Sequence, residues 1–279
     1  MSCEENKAVG GFFVGIDSDG TVFDTMTVKH RDCFIPVMIK QWGLEKISPS
    51  VFEVAERINL FSHERGINRF PSLVRIFDDL KDIHSDDFPI KEYEALREFV
   101  SSGCPMSNDG LKRFMETHTD GILNETLEWS LESDKAFSLA TEKITPFANA
   151  VSAIERIKNH ADIWVISSAS GKGLSSDFER WNISKNVKKV MGQEYGSKIE
   201  QLRCARDAGY DGKRSVMIGD ALGDLNAAQE AGMFFYPIIA GKEELCWKKF
   251  NEKYFDLFLN NRYSEVQDTL ISEFTGTLK

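Results

Sequence analysis

The chain has 279 residues, 42% of them hydrophobic and 28% charged, with a formal net charge of −10. This mixture is typical of one large or two modest globular domains, and the acidic balance disfavours nucleic acid and anionic membrane surfaces as partners. No stretch approaches the ~20 apolar residues of a membrane span, and the N-terminus carries no signal-type apolar run, so the sequence predicts a cytoplasmic protein.

Five short apolar runs predict strands, at residues 12–16, 163–166, 187–191, 216–218 and 234–239. Helical segments separate the later runs. Ser197 is suited to cap one of these helices and Gly209 to end it, and the aromatic tail from Trp247 to Phe258 predicts a helix packed on the core. Short apolar strands that alternate with helices are typical of a parallel sheet covered on both faces. The predicted fold class is therefore α/β, with a doubly wound, Rossmann-like parallel sheet.

The stretch between the first two predicted strands breaks this alternation and has a wholly helical pattern. Ser48 and Pro49 favour a helix start, and apolar positions then recur at helical spacing through 51–58, 73–80 and 111–115. Such stripes usually face a core. We therefore predict an inserted all-helical cap domain at residues 26–141, within an α/β core domain formed by residues 1–25 and 142–279.

Two aspartates directly follow the first predicted strand, in the run Asp17-Ser18-Asp19-Gly20-Thr21. Because residues i and i+2 of a strand point the same way, Asp17 and Asp19 are expected to face one site. That site lies at the carboxyl end of the strand, where open α/β sheets bind ligands, and Gly20 permits a sharp turn there. Two carboxylates this close repel each other unless a cation or proton intervenes, which predicts a hard cation such as Mg²⁺.

Three further segments bring polar groups to predicted strand ends or helix starts. Asp220 and Asp224 add two carboxylates to the same edge of the sheet and, with Asp17, are predicted to bind Mg²⁺. The serine-rich run 167–171 offers hydroxyls and free backbone N–H groups to a phosphate. Lys198, at a helix start, is suited to steady both Asp17 and a transferring phosphoryl group. Each segment alone is explained by a turn, a cap or a solvated side chain, but their joint occurrence favours one site.

These motifs together resemble those of the haloacid dehalogenase (HAD) superfamily with a helical C1-type cap, and are similar to its phosphoglycolate phosphatase and β-phosphoglucomutase-like members. The run from Asp17 to Thr21 is similar to the Asp-x-Asp-Gly-Thr signature of that superfamily. Ser168 resembles its second-motif Ser/Thr, Lys198 its third-motif Lys, and Asp220 with Asp224 its acidic fourth motif. The resemblance covers the predicted core domain, and the helical insert lies where such proteins carry their cap.

The resemblance implies a Mg²⁺-dependent phosphatase that hydrolyses a small phosphomonoester through an aspartyl-phosphate intermediate. Asp17 would attack phosphorus, and Asp19 would protonate the leaving oxygen and then activate the hydrolytic water. The other residues that the resemblance assigns to the phosphoryl group are Thr21, Ser168, Ala169 and Lys198. The implied Mg²⁺ ligands are the carboxylates of Asp17, Asp220 and Asp224 and the backbone carbonyl of Asp19.

A sugar-phosphate mutase of the β-phosphoglucomutase type is the alternative within this superfamily. Ser168-Ala169-Ser170 is similar to the second motif of those mutases, but Gly219 stands where they tend to carry Glu, which favours a phosphatase. In the cap, Arg65-Gly66-Ile67-Asn68-Arg69 resembles their substrate loop. Arg65, Asn68 and Arg69 are therefore predicted to bind a second polar or anionic group of the substrate, although a solvated basic turn explains the same residues.

Other classes of protein fit the sequence less well. Dehalogenases and phosphonate-cleaving members of the superfamily lack the acid that Asp19 supplies. A response-regulator receiver domain would be much shorter, and a non-catalytic binding protein would be expected to lose Asp17 or Lys198. The scattered cysteines argue against a disulfide framework and a zinc site and fit a reducing compartment, and the histidines show no metal-ligand spacing. The expected partner is a small phosphorylated metabolite.

Overall fold

The chain forms two compact units in a computed structural model that describes residues 11–85 and 87–278. The α/β unit comprises the described part of Met1–Asp24 together with Thr145–Leu278, and the helical unit comprises Thr25–Ile144. Within the described residues, no helix is long and apolar enough to cross a lipid bilayer.

A five-stranded sheet forms the centre of the α/β unit, in the strand order β3-β2-β1-β4-β5. All neighbouring strands are parallel. The strands are β1 (Phe12–Ile16), β2 (Ala161–Ile166), β3 (Lys189–Met191), β4 (Ser215–Gly219) and β5 (Phe234–Pro237). In the central strand, Val14 pairs with Ile163 of β2 and with Val216 of β4. The strands coincide with the predicted apolar runs, and the predicted doubly wound α/β fold is confirmed.

The helical unit is built on the apolar stripes that the sequence predicts. Val51, Phe77 and Leu111 are fully buried in one hydrophobic cluster, and α3 starts at the predicted Ser48 with Pro49 in its first turn. The helices are α1 (Thr25–Thr27), α2 (Ile35–Trp42), α3 (Ser48–Glu56), α4 (Arg69–His84), α5 (Glu94–Ser101), α6 (Asn108–Met115) and α7 (Gly121–Ala140). Two π-helical segments, Val28–Phe34 and Arg57–Phe61, continue α1 and α3.

The helices of the α/β unit cover the sheet, and α10 starts and ends where the sequence predicts. They are α8 (Ala148–Ile157), α9 (Gly171–Arg180), α10 (Lys198–Asp207), α11 (Leu222–Glu230), α12 (Glu243–Lys249), α13 (Phe255–Leu259) and α14 (Gln267–Thr275). Ser197 and Glu200 form a capping box at the start of α10, with side chain to backbone distances of 3.3 and 2.7 Å. Gly209 follows that helix with φ of 99°.

Among the described cysteines, Cys33, Cys104 and Cys246 are free thiols.

Candidate active site

Asp17 lies directly after β1, at the carboxyl end of the central strand of the sheet. Its backbone N–H donates to the carbonyl of Ile218 in β4 at 2.9 Å, so the sheet pairing fixes its position. The chain then turns at Gly20, whose φ of 74° glycine adopts without strain. The Thr21 hydroxyl, predicted to bind substrate, donates to Asp17 Oδ2 at 3.3 Å. The loop therefore holds Asp17 from both its backbone and its side chain.

Lys198, at the start of α10, joins two of the predicted carboxylates. Its Nζ atom lies 2.8 Å from Asp17 Oδ1 and 2.6 Å from Asp224 Oδ1. Burial by itself would lower the pKa of Lys198, but the charges of Asp17 and Asp224 outweigh it and raise that pKa above its ordinary value. The lysine therefore remains a fixed positive charge between the two aspartates.

Three carboxylates converge at the carboxyl edge of the sheet. Asp17, Asp220 and Asp224 are all buried, and each offers an oxygen such that all three oxygens lie within 4.8 Å of one another. Burial raises the pKa of Asp17 and of Asp224; Lys198 opposes the rise in both, and Asp220 adds to it. Lys198 offsets one of the three negative charges, and a divalent cation would offset the other two. An all-oxygen donor set of this charge fits a hard ion such as Mg²⁺.

Gly219, the last residue of β4, allows Asp224 to reach this cluster. A Cβ atom at position 219 would lie 2.3 Å from Asp224 Cγ and 2.5 Å from its Oδ2 atom, closer than packed atoms approach. Asp224 Oδ2 also accepts a hydrogen bond from the Ala221 N–H at 3.1 Å. Any side chain at position 219, including the Glu typical of the mutases, would therefore require Asp224 to move.

The serine-rich loop after β2 differs in part from its predicted role. Ser168 is exposed. The backbone N–H groups that were predicted to be free have acceptors in the protein: that of Ala169 donates to Ser167 Oγ at 3.1 Å, and that of Gly171 donates to both carboxylate oxygens of Glu194 at 3.0 Å. The expectation of a cradle of free N–H groups is thus wrong at Ala169 and Gly171, because short side chains and Glu194 already satisfy them.

A model of the haloacid dehalogenase-like hydrolases matches residues 14–232, which include every residue of the acidic cluster and Lys198. The chain belongs to the haloacid dehalogenase-like hydrolase family. It is therefore a hydrolase, as the motifs predict, and the resemblance stated from the sequence is confirmed.

Solved structures of other HAD-like proteins are similar to this chain at low sequence identity. One is a HAD family hydrolase from Deinococcus radiodurans R1 with bound phosphate and sodium: identity is 11%, coverage is 98% of this chain and 99% of that one, and the TM-score is 0.48. Another is a haloacid dehalogenase-like hydrolase from Streptococcus pneumoniae, with 12% identity, coverage of 85% and 90%, and a TM-score of 0.45. A third is a 2-haloacid dehalogenase from Pseudomonas syringae pv. Tomato DC3000, with 18% identity, coverage of 80% of this chain and 84% of that one, and a TM-score of 0.40. A search of curated proteins gave no match.

The C-terminal part of this HAD-like hydrolase, beyond the matched residues, also supports the Asp17 loop. Trp247 of α12 is fully buried, and its indole N–H donates to the Thr21 carbonyl at 2.7 Å. The sequence predicts only that this aromatic tail packs on the core. The contact joins residues far apart in the chain, and its acceptor is a backbone carbonyl, so the sequence contains no signal for it.

The three predicted cap residues of the HAD-like hydrolase all have partners within the helical unit. Arg65 is buried and donates to the Leu60 carbonyl at 2.8 Å, so it is not a solvated side chain. Asn68 is the N-cap of α4, since its side chain accepts from the Phe70 N–H at 3.1 Å. The guanidinium of Arg69 lies 2.6 Å from Asp134 Oδ1 and 4.8 Å from the centre of the Phe34 ring.

His30, for which the sequence predicts no role, lies close to two of these arginines. It belongs to the π-helical segment Val28–Phe34 and is 7% exposed. Burial, and then the charges of Lys29, Arg65 and Arg69, lower the pKa of His30 from 6.5 to about 3. The imidazole is therefore neutral in the folded protein at any pH near neutrality.

Replacing His30 by Gln is expected to reduce the loss of stability on acidification. Below pH 6.5 the unfolded chain binds a proton at this histidine and the folded chain does not, so stability falls as the pH falls from 6.5 towards about 3. At pH 5.5, this difference in proton binding lowers the free energy of unfolding by about 1.4 kcal/mol. Urea unfolding at pH 7.5 and 5.5 measures it, with His63→Gln, at an exposed position, as the control. An unchanged pH effect in His30→Gln would show that His30 already takes up its proton in the folded state.

Proposed function

We propose that this HAD-like hydrolase is a Mg²⁺-dependent phosphatase that hydrolyses a small phosphomonoester through an aspartyl-phosphate on Asp17. The observation that supports the proposal most strongly is the environment of Asp17. Its carboxylate is buried at the carboxyl end of the central strand, touches Lys198, and lies within 4.8 Å of carboxylate oxygens of Asp220 and Asp224. Fixed charges of this kind stabilise phosphoryl transfer through electrostatics and positioning.

In the proposed mechanism, Asp17 Oδ attacks phosphorus in line with the ester oxygen. The phosphorus–ester bond breaks, the phosphoryl group is transferred to Asp17, and the leaving oxygen takes a proton from Asp19. Asp19 then removes a proton from water, which attacks the aspartyl-phosphate and releases inorganic phosphate while Asp17 is regenerated. Lys198, the Ser168 hydroxyl and backbone groups near Thr21 are proposed to bind the phosphoryl oxygens. The Ala169 N–H is left out of this set because it donates to Ser167 Oγ.

The proposed ligands of Mg²⁺ are the carboxylates of Asp17, Asp220 and Asp224 and the backbone carbonyl of Asp19. Bound Mg²⁺ would supply the positive charge that lets a phosphate dianion approach three carboxylates. Without it, the acidic cluster would repel the substrate, because Lys198 offsets a single negative charge. The metal is therefore proposed as a requirement for substrate binding as well as for the chemical step.

Release of phosphate from p-nitrophenyl phosphate tests the proposal. We expect activity with Mg²⁺, a fall of ~10²-fold or more when EDTA removes the metal, and recovery when Mg²⁺ is added back. Thermal shift with and without Mg²⁺ provides a control that does not depend on turnover. Phosphate release that is insensitive to EDTA would contradict the metal requirement, and metal binding without phosphate release would indicate a binding protein.

The mutase alternative is disfavoured by the close approach of Gly219 and Asp224, which leaves no space for the Glu of the mutases. Arg65, Asn68 and Arg69 are kept as a proposal for binding a second polar or anionic group of the substrate. Dependence of turnover on a sugar bisphosphate activator would favour the mutase, and turnover of a panel of phosphorylated metabolites without it would favour the phosphatase. The cytoplasmic location likewise stays a prediction from the sequence.

A further inference from the structure

Gln201 is a fully buried polar side chain in α10 that contacts the backbone of three residues in two segments of the chain. Its Oε1 atom accepts a hydrogen bond from the Ser167 N–H at 3.1 Å. Its Nε2 atom lies 2.9 Å from the Ser167 carbonyl, 3.1 Å from that of Gly192 and 3.0 Å from that of Gly196. Both ends of the amide are thus used, which is the requirement for a polar group in a dry interior.

The segments that Gln201 contacts are those that carry two proposed phosphate-binding groups. Ser167 immediately precedes Ser168, at the end of β2. Gly192 and Gly196 lie in the turn between β3 and α10, and Gly196 is two residues before Lys198. Gln201 itself follows Lys198 by three residues, on the same side of the first helical turn. One amide therefore links the backbone next to Ser168 to the backbone next to Lys198.

We propose that Gln201 is a positioning residue that fixes Ser168 and Lys198 at the separation that the transferring phosphoryl group requires. The inference rests on the proposed phosphatase function. Gln201 is buried behind the loop, so it acts through the backbone of Ser167 and of the turn before α10. Catalysis by positioning is sensitive to displacements of about 1 Å, which cost ~10²-fold in rate.

The neighbouring contacts explain why the loop needs this amide. The Ser167 N–H has a second acceptor in the Met191 carbonyl at 3.0 Å, and the Gly192 carbonyl has a second donor in the Tyr195 N–H at 3.0 Å. The Gln201 amide group is what joins the Ser167, Gly192 and Gly196 carbonyls to one donor. Removing that group takes away the donor that Gln201 gives to the buried Ser167 carbonyl, and a buried carbonyl that loses its donor moves towards water to recover one. The expected movement separates the Ser168 loop from α10 while the sheet stays intact.

The test compares Gln201→Met, which preserves side-chain length but removes all four contacts, with Tyr263→Phe. Tyr263 is also fully buried and donates to the Phe235 carbonyl at 2.9 Å, in the first half of β5. It therefore controls for loss of a buried hydrogen bond in the same unit. With p-nitrophenyl phosphate and saturating Mg²⁺, we expect Gln201→Met to lower kcat by ~10- to 100-fold with KM changed less than about threefold, and Tyr263→Phe to retain wild-type kcat.

Hydrogen–deuterium exchange provides a readout that does not depend on turnover. In Gln201→Met, amide exchange is expected to accelerate in peptides that cover residues 167–171 and 192–197, and to stay at the wild-type rate in β1 and β4. Gln201→Glu is the second variant, to be used if Gln201→Met fails to fold. It keeps the acceptor for the Ser167 N–H and loses the donor. We therefore expect it to accelerate exchange mainly at residues 192–197 and to lower kcat.

The outcomes separate the two proposals. An active wild type with a Gln201→Met kcat within twofold of it, or equal losses in Gln201→Met and Tyr263→Phe, overturns the positioning role and leaves the phosphatase proposal intact. A wild-type protein without phosphatase activity overturns both. A fall in kcat together with accelerated exchange confined to the two segments supports the positioning role.

Discussion

Asp17→Asn is expected to abolish phosphate release from p-nitrophenyl phosphate, with kcat lowered by ~10⁴-fold or more. An amide oxygen is a far weaker nucleophile than a carboxylate, so the covalent step fails. The backbone contact from residue 17 to the Ile218 carbonyl does not involve the side chain, and Lys198 keeps its contact with Asp224. The substitution therefore tests chemistry rather than folding.

The measurement combines steady-state kinetics with thermal unfolding of the same preparations. Asp207→Asn is the matched control, because it makes the same chemical change at an exposed position near the end of α10, and it is expected to retain wild-type kcat. Trapping of ³²P on the wild-type protein, and its absence in Asp17→Asn, would locate the intermediate. Hydrolysis at the wild-type rate by a folded Asp17→Asn would refute the proposed nucleophile.

The sheet and the acidic cluster were predictable because their signals are local. Each strand is a short apolar run, and Asp17 and Asp220 immediately follow β1 and β4. The carboxyl ends of parallel strands meet at one edge, so residues separated by some two hundred positions could be assigned to one site without coordinates. The prediction needed only strand assignments and the rule that parallel strands align.

The supporting contacts were not predictable, because their acceptors are backbone atoms. Gln201 and Trp247 donate to carbonyl groups, and every residue has a carbonyl, so no pattern of residue types marks the partner. The partner of Glu194 is also a backbone atom, but here the backbone is the donor, since Glu194 accepts from the Gly171 N–H. Such contacts depend on how loops approach one another in three dimensions. The sequence indicates which residues are chemically able to react, and the structure indicates which residues hold them.

In the helical unit, Asn68 has a structural role besides the binding role that the sequence predicts for it. Asn68 precedes α4 and caps it, as Asn does at many helix starts. Arg65 is buried, and burial together with the charges of Lys29, Arg65 and Arg69 lowers the pKa of His30. Neither could be predicted from the spacing of basic residues alone.

Lys198→Met is expected to lower kcat/KM by ~10²- to 10³-fold and to destabilise the metal-free protein. The substitution leaves Asp17 and Asp224 buried without the cation that now lies 2.8 and 2.6 Å from them. Removing one partner of a buried ion pair typically costs about 3–5 kcal/mol. Mg²⁺ can take over part of the lost charge, so added Mg²⁺ is expected to raise the Tm of the variant more than that of the wild type.

Urea unfolding in EDTA and in Mg²⁺, with kinetics on the same samples, measures both effects. Lys213→Met is the control, because it removes a lysine from an exposed position before β4 and is expected to change neither quantity by more than about 0.5 kcal/mol. If Lys198→Met kept more than half of the wild-type kcat/KM, Lys198 would have no part in stabilising the transferring phosphoryl group. If its stability in EDTA matched that of Lys213→Met, the two aspartates would take up protons in the metal-free variant, because the loss of Lys198 removes the charge that opposes the rise of their pKa.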